Sequence, residues 1–131
     1  MHRRNRWFIL ASLAYAVLGS LLALLWSIDP RLVPGDAVRT HVHLMMLGFV
    51  GQMVFGVGLH ALPRFSGYPL FSERLADAQF VLINTGLLVM AWGWLGSVPR
   101  LAHAGAAVAW LALVCFAINV GGTVRLRAPT G

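Results

Sequence analysis

Four histidines lie at the ends of apolar stretches in this 131-residue chain. His41 and His43 come directly before the run LMMLGFVGQMVFGVGL, His60 follows that run, and His103 opens a later apolar run. A neutral imidazole is a good ligand for iron and copper, and ionisable side chains inside membrane spans are rare and usually functional. The histidines therefore indicate a metal or a metal-containing cofactor. The alternative is that each imidazole is solvated by headgroups at a membrane interface.

The composition predicts an integral membrane protein. Hydrophobic residues make up 59% of the chain and charged residues 11%, whereas a soluble domain usually carries about 25% charged residues. The net charge of +6 comes from ten basic residues, all of them arginine. These arginines lie in tails and links, where they meet lipid headgroups. We therefore expect membrane lipid as a partner and no nucleic acid.

Four apolar runs predict four membrane-spanning helices, at about residues 7–28, 40–62, 76–97 and 101–124. Each run is long enough for a span, which needs ~20 residues, and each is bounded by Pro, Gly or Arg. The links between them are short, which favours antiparallel neighbours. The sequence thus predicts an all-α integral membrane protein, an antiparallel up-down bundle of four helices forming one domain over residues 1–131.

The distribution of arginine predicts the orientation. Seven of the ten arginines lie in the two tails and the middle link, and three lie in the other two links. Positive charge stays on the cytoplasmic side, so we expect both termini in the cytoplasm of a bacterial or archaeal cell. His41, His43 and His103 then lie at the outer side. His60 lies at the inner side, where interfacial placement and a second metal both remain open.

Helical periodicity separates the two histidines that open the second span. At 100° per residue, His41 shares a face with Gly48 and Gln52, whereas His43 lies on an aliphatic face with Val50 and others. A small residue in a membrane helix lets another backbone or a flat ligand come close. We therefore expect His41 to point inward and keep His43 in reserve.

His103 is the expected partner of His41. It lies at the same depth and shares its face with Ala106 and Ala107, which predicts a slot beside the imidazole. Two imidazoles across an apolar slot suit a b-type haem, and Arg39 and Arg100 are the expected partners of its propionates. Copper, held by His41, His43 and nearby methionines, is the alternative cofactor.

The stretch HVHLMMLGFVGQMVFGVGLHALPRFSG, residues 41–67, resembles the haem-ligand helix of the catalytic subunit of haem-copper oxidases and nitric oxide reductases. The matching residues are His41, Met45, Gly48, Gly56, Gly58, Pro63 and Gly67. The stretch looks most like short relatives of that subunit that keep about four helices. The resemblance implies that His41 is an axial ligand of a low-spin haem near the outer surface.

The rest of the family's pattern has no counterpart here. The other histidine-bearing helices of the family are missing, so we expect no oxygen-reducing centre, and no hydrolytic constellation is evident either. The family's second axial ligand comes from a later helix that this chain lacks. His103 is therefore a substitute that the motif does not carry, and another copy of the chain is the other possible source.

Together these features predict a membrane b-type haem protein for electron transfer or for binding a small gas such as nitric oxide or oxygen. We expect it to form homo-oligomers or to join a respiratory complex. Two alternatives remain open: a copper-binding membrane protein, and a cofactor-free assembly subunit of a respiratory complex.

Overall fold

The computed structural model describes residues 2–125, which form four long helices joined by short links. They are α1 (Arg3–Ile28), α2 (Ala37–Ser66), α3 (Glu73–Leu95) and α4 (Pro99–Arg125). No strand occurs within residues 2–125. Each helix is long and apolar enough to cross a membrane. The predicted all-α fold with four helices is confirmed.

Local capping explains why α2 is longer than predicted. The Asp36 side chain accepts a hydrogen bond of 2.9 Å from the Arg39 N–H, which starts the helix before the apolar run begins. At the other end the helix continues past Pro63, which the sequence suggested as a boundary. Its last residue is Ser66, and the capping residue Gly67 has a φ of 74°, the left-handed conformation that terminates many helices.

The second helix is not α-helical throughout. Leu44–Gly51 forms a π-helical section directly after His43. π-helical turns are rare, and when they occur inside α-helices they are often found at functional sites. The wider turns change the angular relation between the histidines before the section and the residues after it.

Contacts between the helices define an up-down-up-down arrangement. Gly48 of α2 lies against Tyr15 of α1, and Gly93 of α3 lies against Ala102 of α4, so each consecutive pair is antiparallel. The Phe8 ring of α1 packs edge-on against the Phe80 ring of α3, with 5.0 Å between centroids. Two ends of the bundle can therefore be distinguished. The histidine end holds His41, His43 and His103, and the terminal end holds the start of α1 and the end of α4.

Two ion pairs of one buried arginine connect helices at the terminal end. Arg4 is only 6% exposed, and its guanidinium lies 2.7 Å from a carboxylate oxygen of Glu73 and 3.0 Å from one of Asp77. A second hydrogen bond of 3.1 Å runs to the Glu73 carbonyl oxygen. The contacts join the first turn of α1 to the first turns of α3. Arg4, which the sequence indicated only as a tail charge, is thus a structural link.

Candidate functional site

His41 is held by a contact with the neighbouring helix. Its Nδ1 lies 2.7 Å from the carbonyl oxygen of Gly19 in α1. Because a carbonyl oxygen only accepts, Nδ1 must carry the proton, and Nε2 keeps its lone pair. Within residues 2–125 no hydrogen bond engages Nε2. A metal-binding histidine is usually held in this way, with one ring nitrogen donating to a carbonyl and the other left for the metal.

His41 is one of the residues that line an open groove between α1 and α2 at the histidine end. The groove has a volume of about 280 Å³ and is lined almost entirely by apolar atoms. The lining residues are Ala23, Trp26, Ser27, Ala37, Val38 and His41. Pockets for drug-sized ligands range from about 300 to 1,000 Å³. The groove therefore suits one side of a flat apolar ligand and does not enclose a macrocycle.

His43 and Arg39 lie on a different side of α2, against Trp94 of α3. The His43 ring is tilted against the Trp94 ring with 4.5 Å between centroids, and its Nδ1 lies 2.9 Å from the Arg39 carbonyl oxygen. The Arg39 guanidinium lies 6.0 Å from the centre of the Trp94 ring, and its Nε is 3.5 Å from Asp36. These groups form a cluster that the sequence analysis missed. Its only sequence signal was Trp94, a tryptophan near the end of the third predicted span.

His103 belongs to this second region and not to the groove of His41. It lines a cleft of about 180 Å³ whose other lining residues are Asp36, Arg39, Gly93, Trp94, Ser97 and Pro99. His41 instead contacts α1 through Gly19. The structure thus places the two expected axial ligands in separate clefts, and the expected pairing of His41 with His103 inside one chain needs correction.

The face of α4 that carries His103 points out of the bundle, contrary to expectation. His103, Ala106 and Ala107 are exposed, and Trp110 on the same face is 62% exposed. The opposite face is buried against α3, and it consists of Ala102, Gly105, Ala109 and Ala112. Alanine occurs on both faces, so the alanine pattern did not identify the inner one. The residue that marks the inner face is Gly105, because its lack of a Cβ allows the close approach to the backbone of α3.

Gly48 and Gln52 are buried on the face of His41, as predicted, but protein atoms fill the space beside them. A Cβ added to Gly48 would lie 2.7 Å from Cγ of Tyr15. The Gln52 amide exchanges hydrogen bonds of 3.1 and 3.2 Å with the Asn84 amide, and the Tyr15 hydroxyl donates to Asn84 at 3.0 Å. These residues join α1, α2 and α3 and do not line a ligand cavity.

The remaining predicted residues lie apart from the groove. Arg100 is exposed in the first turn of α4. His60 lies at the terminal end and lines a cavity of about 240 Å³ with His2, Arg4, Asn5, Leu59, Pro63, Arg64 and Glu73.

Among residues 2–125 no group of three or more His, Cys, Asp or Glu is placed to hold a metal ion. A cofactor that brings its own equatorial ligands, as haem does, needs fewer protein ligands than a bare ion.

No protein-family model, curated protein or solved structure matches this chain. The resemblance to the haem-copper oxidase family therefore stays a prediction from residues 41–67.

Proposed function

We propose that this chain is a multi-pass protein of a bacterial or archaeal cytoplasmic membrane that binds b-type haem through Nε2 of His41. The bound haem would serve electron transfer or the binding of a small gas such as nitric oxide or oxygen. The observation that carries the proposal is the hydrogen bond of 2.7 Å between His41 Nδ1 and the Gly19 carbonyl. It leaves Nε2 without a hydrogen-bond partner within residues 2–125, on a residue that lines an apolar groove.

The residues around His41 suit an axial ligand. The bond to Gly19 fixes the tautomer and the orientation of the ring, and such a bond makes an imidazole a stronger ligand. Ala23, Trp26 and Val38 give the groove an apolar surface. A haem iron with two strong axial ligands transfers single electrons, whereas an iron with an open position binds gas.

Arg39 and Arg100 remain the proposed partners of the propionates. Both lie at the histidine end, where Arg39 lines the cleft of His103 and Arg100 is exposed in the first turn of α4. The Arg39 side chain is 59% exposed, and its contact with Asp36 is a surface ion pair. Surface pairs contribute only about 0–1 kcal/mol, so Arg39 is free to turn toward a carboxylate of the cofactor at little cost.

Copper is the second candidate, and one contact favours it. The Sδ atom of Met45 lies beside Gly19, where a Cβ on that glycine would be 2.8 Å from the sulfur. His41 reaches the same glycine through Nδ1. Both side chains thus lie near Gly19, and an imidazole and a thioether are ligands that copper(I) accepts. Because Nδ1 donates to the Gly19 carbonyl, Nε2 would have to bind the ion. Haem is preferred because the residues that surround His41 in the groove are mostly apolar and offer no second ligand for copper.

The test is an optical spectrum of the detergent-purified protein, oxidised and then reduced, after expression with ample haem. We expect a Soret band and sharp reduced α and β bands. His41→Ala should abolish them, while His43→Ala and His103→Ala, the matched controls from the same end, should keep bound haem. A colourless protein with stoichiometric copper would favour the copper candidate. A protein with neither cofactor would contradict both and favour an assembly subunit.

A further inference from the structure

The cavity that His60 lines at the terminal end is polar, unlike the groove of His41. It has a volume of about 240 Å³, and it lies between the start of α1, the end of α2 and the start of α3. Polar atoms make up the larger part of its lining surface. The ionisable residues that line it are His2, Arg4, His60, Arg64 and Glu73. Four of these five side chains carry nitrogen donors, so the cavity suits a ligand that accepts hydrogen bonds.

The carboxylates of this end are already paired. The guanidinium of the buried Arg4 lies 2.7 Å from an oxygen of Glu73 and 3.0 Å from one of Asp77. Even so, Nε of Arg4 has no hydrogen-bond partner within residues 2–125. A buried N–H without a partner is rare in native proteins. The chain therefore supplies fewer acceptors at this end than its donors need.

Further donors and positive charge remain at the same end. Nδ1 of His2 accepts a hydrogen bond of 3.3 Å from the Arg4 backbone N–H, so Nε2 of the neutral ring carries the proton. None of the three ion pairs within residues 2–125 involves Arg64. Two carboxylates stand against six arginines at this end of the described chain, which are Arg3, Arg4, Arg6, Arg64, Arg74 and Arg125. The excess of positive charge favours an anion.

We infer that the cavity binds a phosphate group, and that this group belongs to an anionic phospholipid. Guanidinium groups hold phosphate oxygens through charge-assisted hydrogen bonds, and basic pockets between membrane helices on the cytoplasmic side bind anionic headgroups. A mostly apolar groove of about 330 Å³ adjoins the cavity, because His2 and Arg4 line both. Its wall includes Trp7, Phe80 and Val81, which suit an acyl chain. A phospholipid fills both spaces, whereas a free phosphate fills only one.

Native mass spectrometry of the full chain in detergent tests the inference. Phosphatidylglycerol and phosphatidylcholine with the same acyl chains compete for the protein, and we expect one phosphatidylglycerol to be retained preferentially. Arg64→Gln should lower its affinity about fivefold, the order expected for one basic residue beside an anionic lipid. His60→Leu, which removes a donor from the cavity, should lower it as well. The matched control is Arg74→Gln, which removes the same charge from an exposed position outside the cavity and should leave the preference unchanged.

Soluble phosphate distinguishes the two sources of the phosphate group. Inorganic phosphate and glycerol 3-phosphate are added in excess to protein that holds phosphatidylglycerol, and neither should displace the lipid, because neither fills the apolar groove. A complex with inorganic phosphate that displaces the lipid and is lost in Arg64→Gln would overturn the assignment to a phospholipid. Equal retention of the two lipids, or equal losses in Arg64→Gln and Arg74→Gln, would overturn the inference as a whole. None of these results depends on bound haem.

Discussion

The two helix hairpins of this bundle are held together by different kinds of contact. Between α3 and α4, backbone meets backbone: a Cβ on Gly105 would lie 2.5 Å from the Met90 nitrogen and 2.7 Å from the Gly86 carbonyl oxygen. Between α1 and α2, Gly48 and Gly19 meet the side chains of Tyr15 and Met45, and the backbone approach at Gly56 is longer, with a Cβ there 3.0 Å from the Asn5 oxygen. Helices in backbone contact leave no space between them, whereas side-chain contacts leave gaps where side chains are small.

The groove of His41 is a consequence of this difference. It opens where α1 and α2 present Ala23 and Ala37 to each other, beyond the larger contacts of Tyr15 and Met45. The π-helical section also belongs to this hairpin, directly after His43. We interpret α3 and α4 as the closely packed hairpin. The hairpin of α1 and α2 is packed less closely and carries the candidate site.

The largest effect on stability is expected from Gly105→Ala. The new methyl group would meet backbone atoms of α3, which cannot move without displacing the helix, and such overpacking typically costs about 1–3 kcal/mol. We expect the upper end of that range for the free energy of unfolding in mixed micelles. The matched control is Gly121→Ala in the same helix, where nothing lies within 4 Å. Equal stability of the two variants would contradict the backbone-contact interpretation.

The amide of Asn84 joins the two hairpins, and removing it should have the next largest effect. Asn84→Leu leaves Gln52 and the Tyr15 hydroxyl without their partner. Interhelical hydrogen bonds in membrane proteins contribute about 0.6 kcal/mol on average and up to about 1.7, so the loss of all three that Asn84 makes with Gln52 and Tyr15 should cost about 2 kcal/mol. The control is Thr85→Val, because Thr85 follows Asn84 in the chain and its side chain is exposed. A double-mutant cycle with Gln52→Leu should show coupling, and strict additivity would exclude a shared network.

Gly19→Ala tests the looser hairpin with the same change as Gly105→Ala. Here the methyl group would meet the Met45 side chain, with Sδ at 2.8 Å and Cγ at 3.3 Å, and Cβ of Leu44 at 3.3 Å. A methionine side chain can turn away by a rotamer adjustment that costs about 0.5–1.5 kcal/mol, and alanine recovers part of this through its better helix propensity. We therefore expect a cost of less than about 1 kcal/mol. If Gly19→Ala destabilised the protein as much as Gly105→Ala, the two hairpins would not differ as we describe.

The burial of α2 was predictable from its sequence, whereas that of α4 was not. On α2, Gly48 and Gln52 interrupt an aliphatic pattern, and both are buried as predicted. On α4, Ala106 and Ala107 resemble Ala109 and Ala112 in size and hydropathy, yet the first two are exposed and the last two buried. When both faces of a helix carry small apolar residues, periodicity cannot distinguish them, and the fit against the neighbouring helix decides.

The sequence by itself determined the number of helices, their approximate ends and the buried face of α2. These follow from local properties: apolar length, caps such as Asp36, and the contrast between small and bulky residues along one helix. Only the tertiary structure decided which helix each histidine meets, with His41 against Gly19 and His43 against Trp94. That choice depends on the rotation of each helix about its axis, which packing against neighbours sets and no single helix encodes.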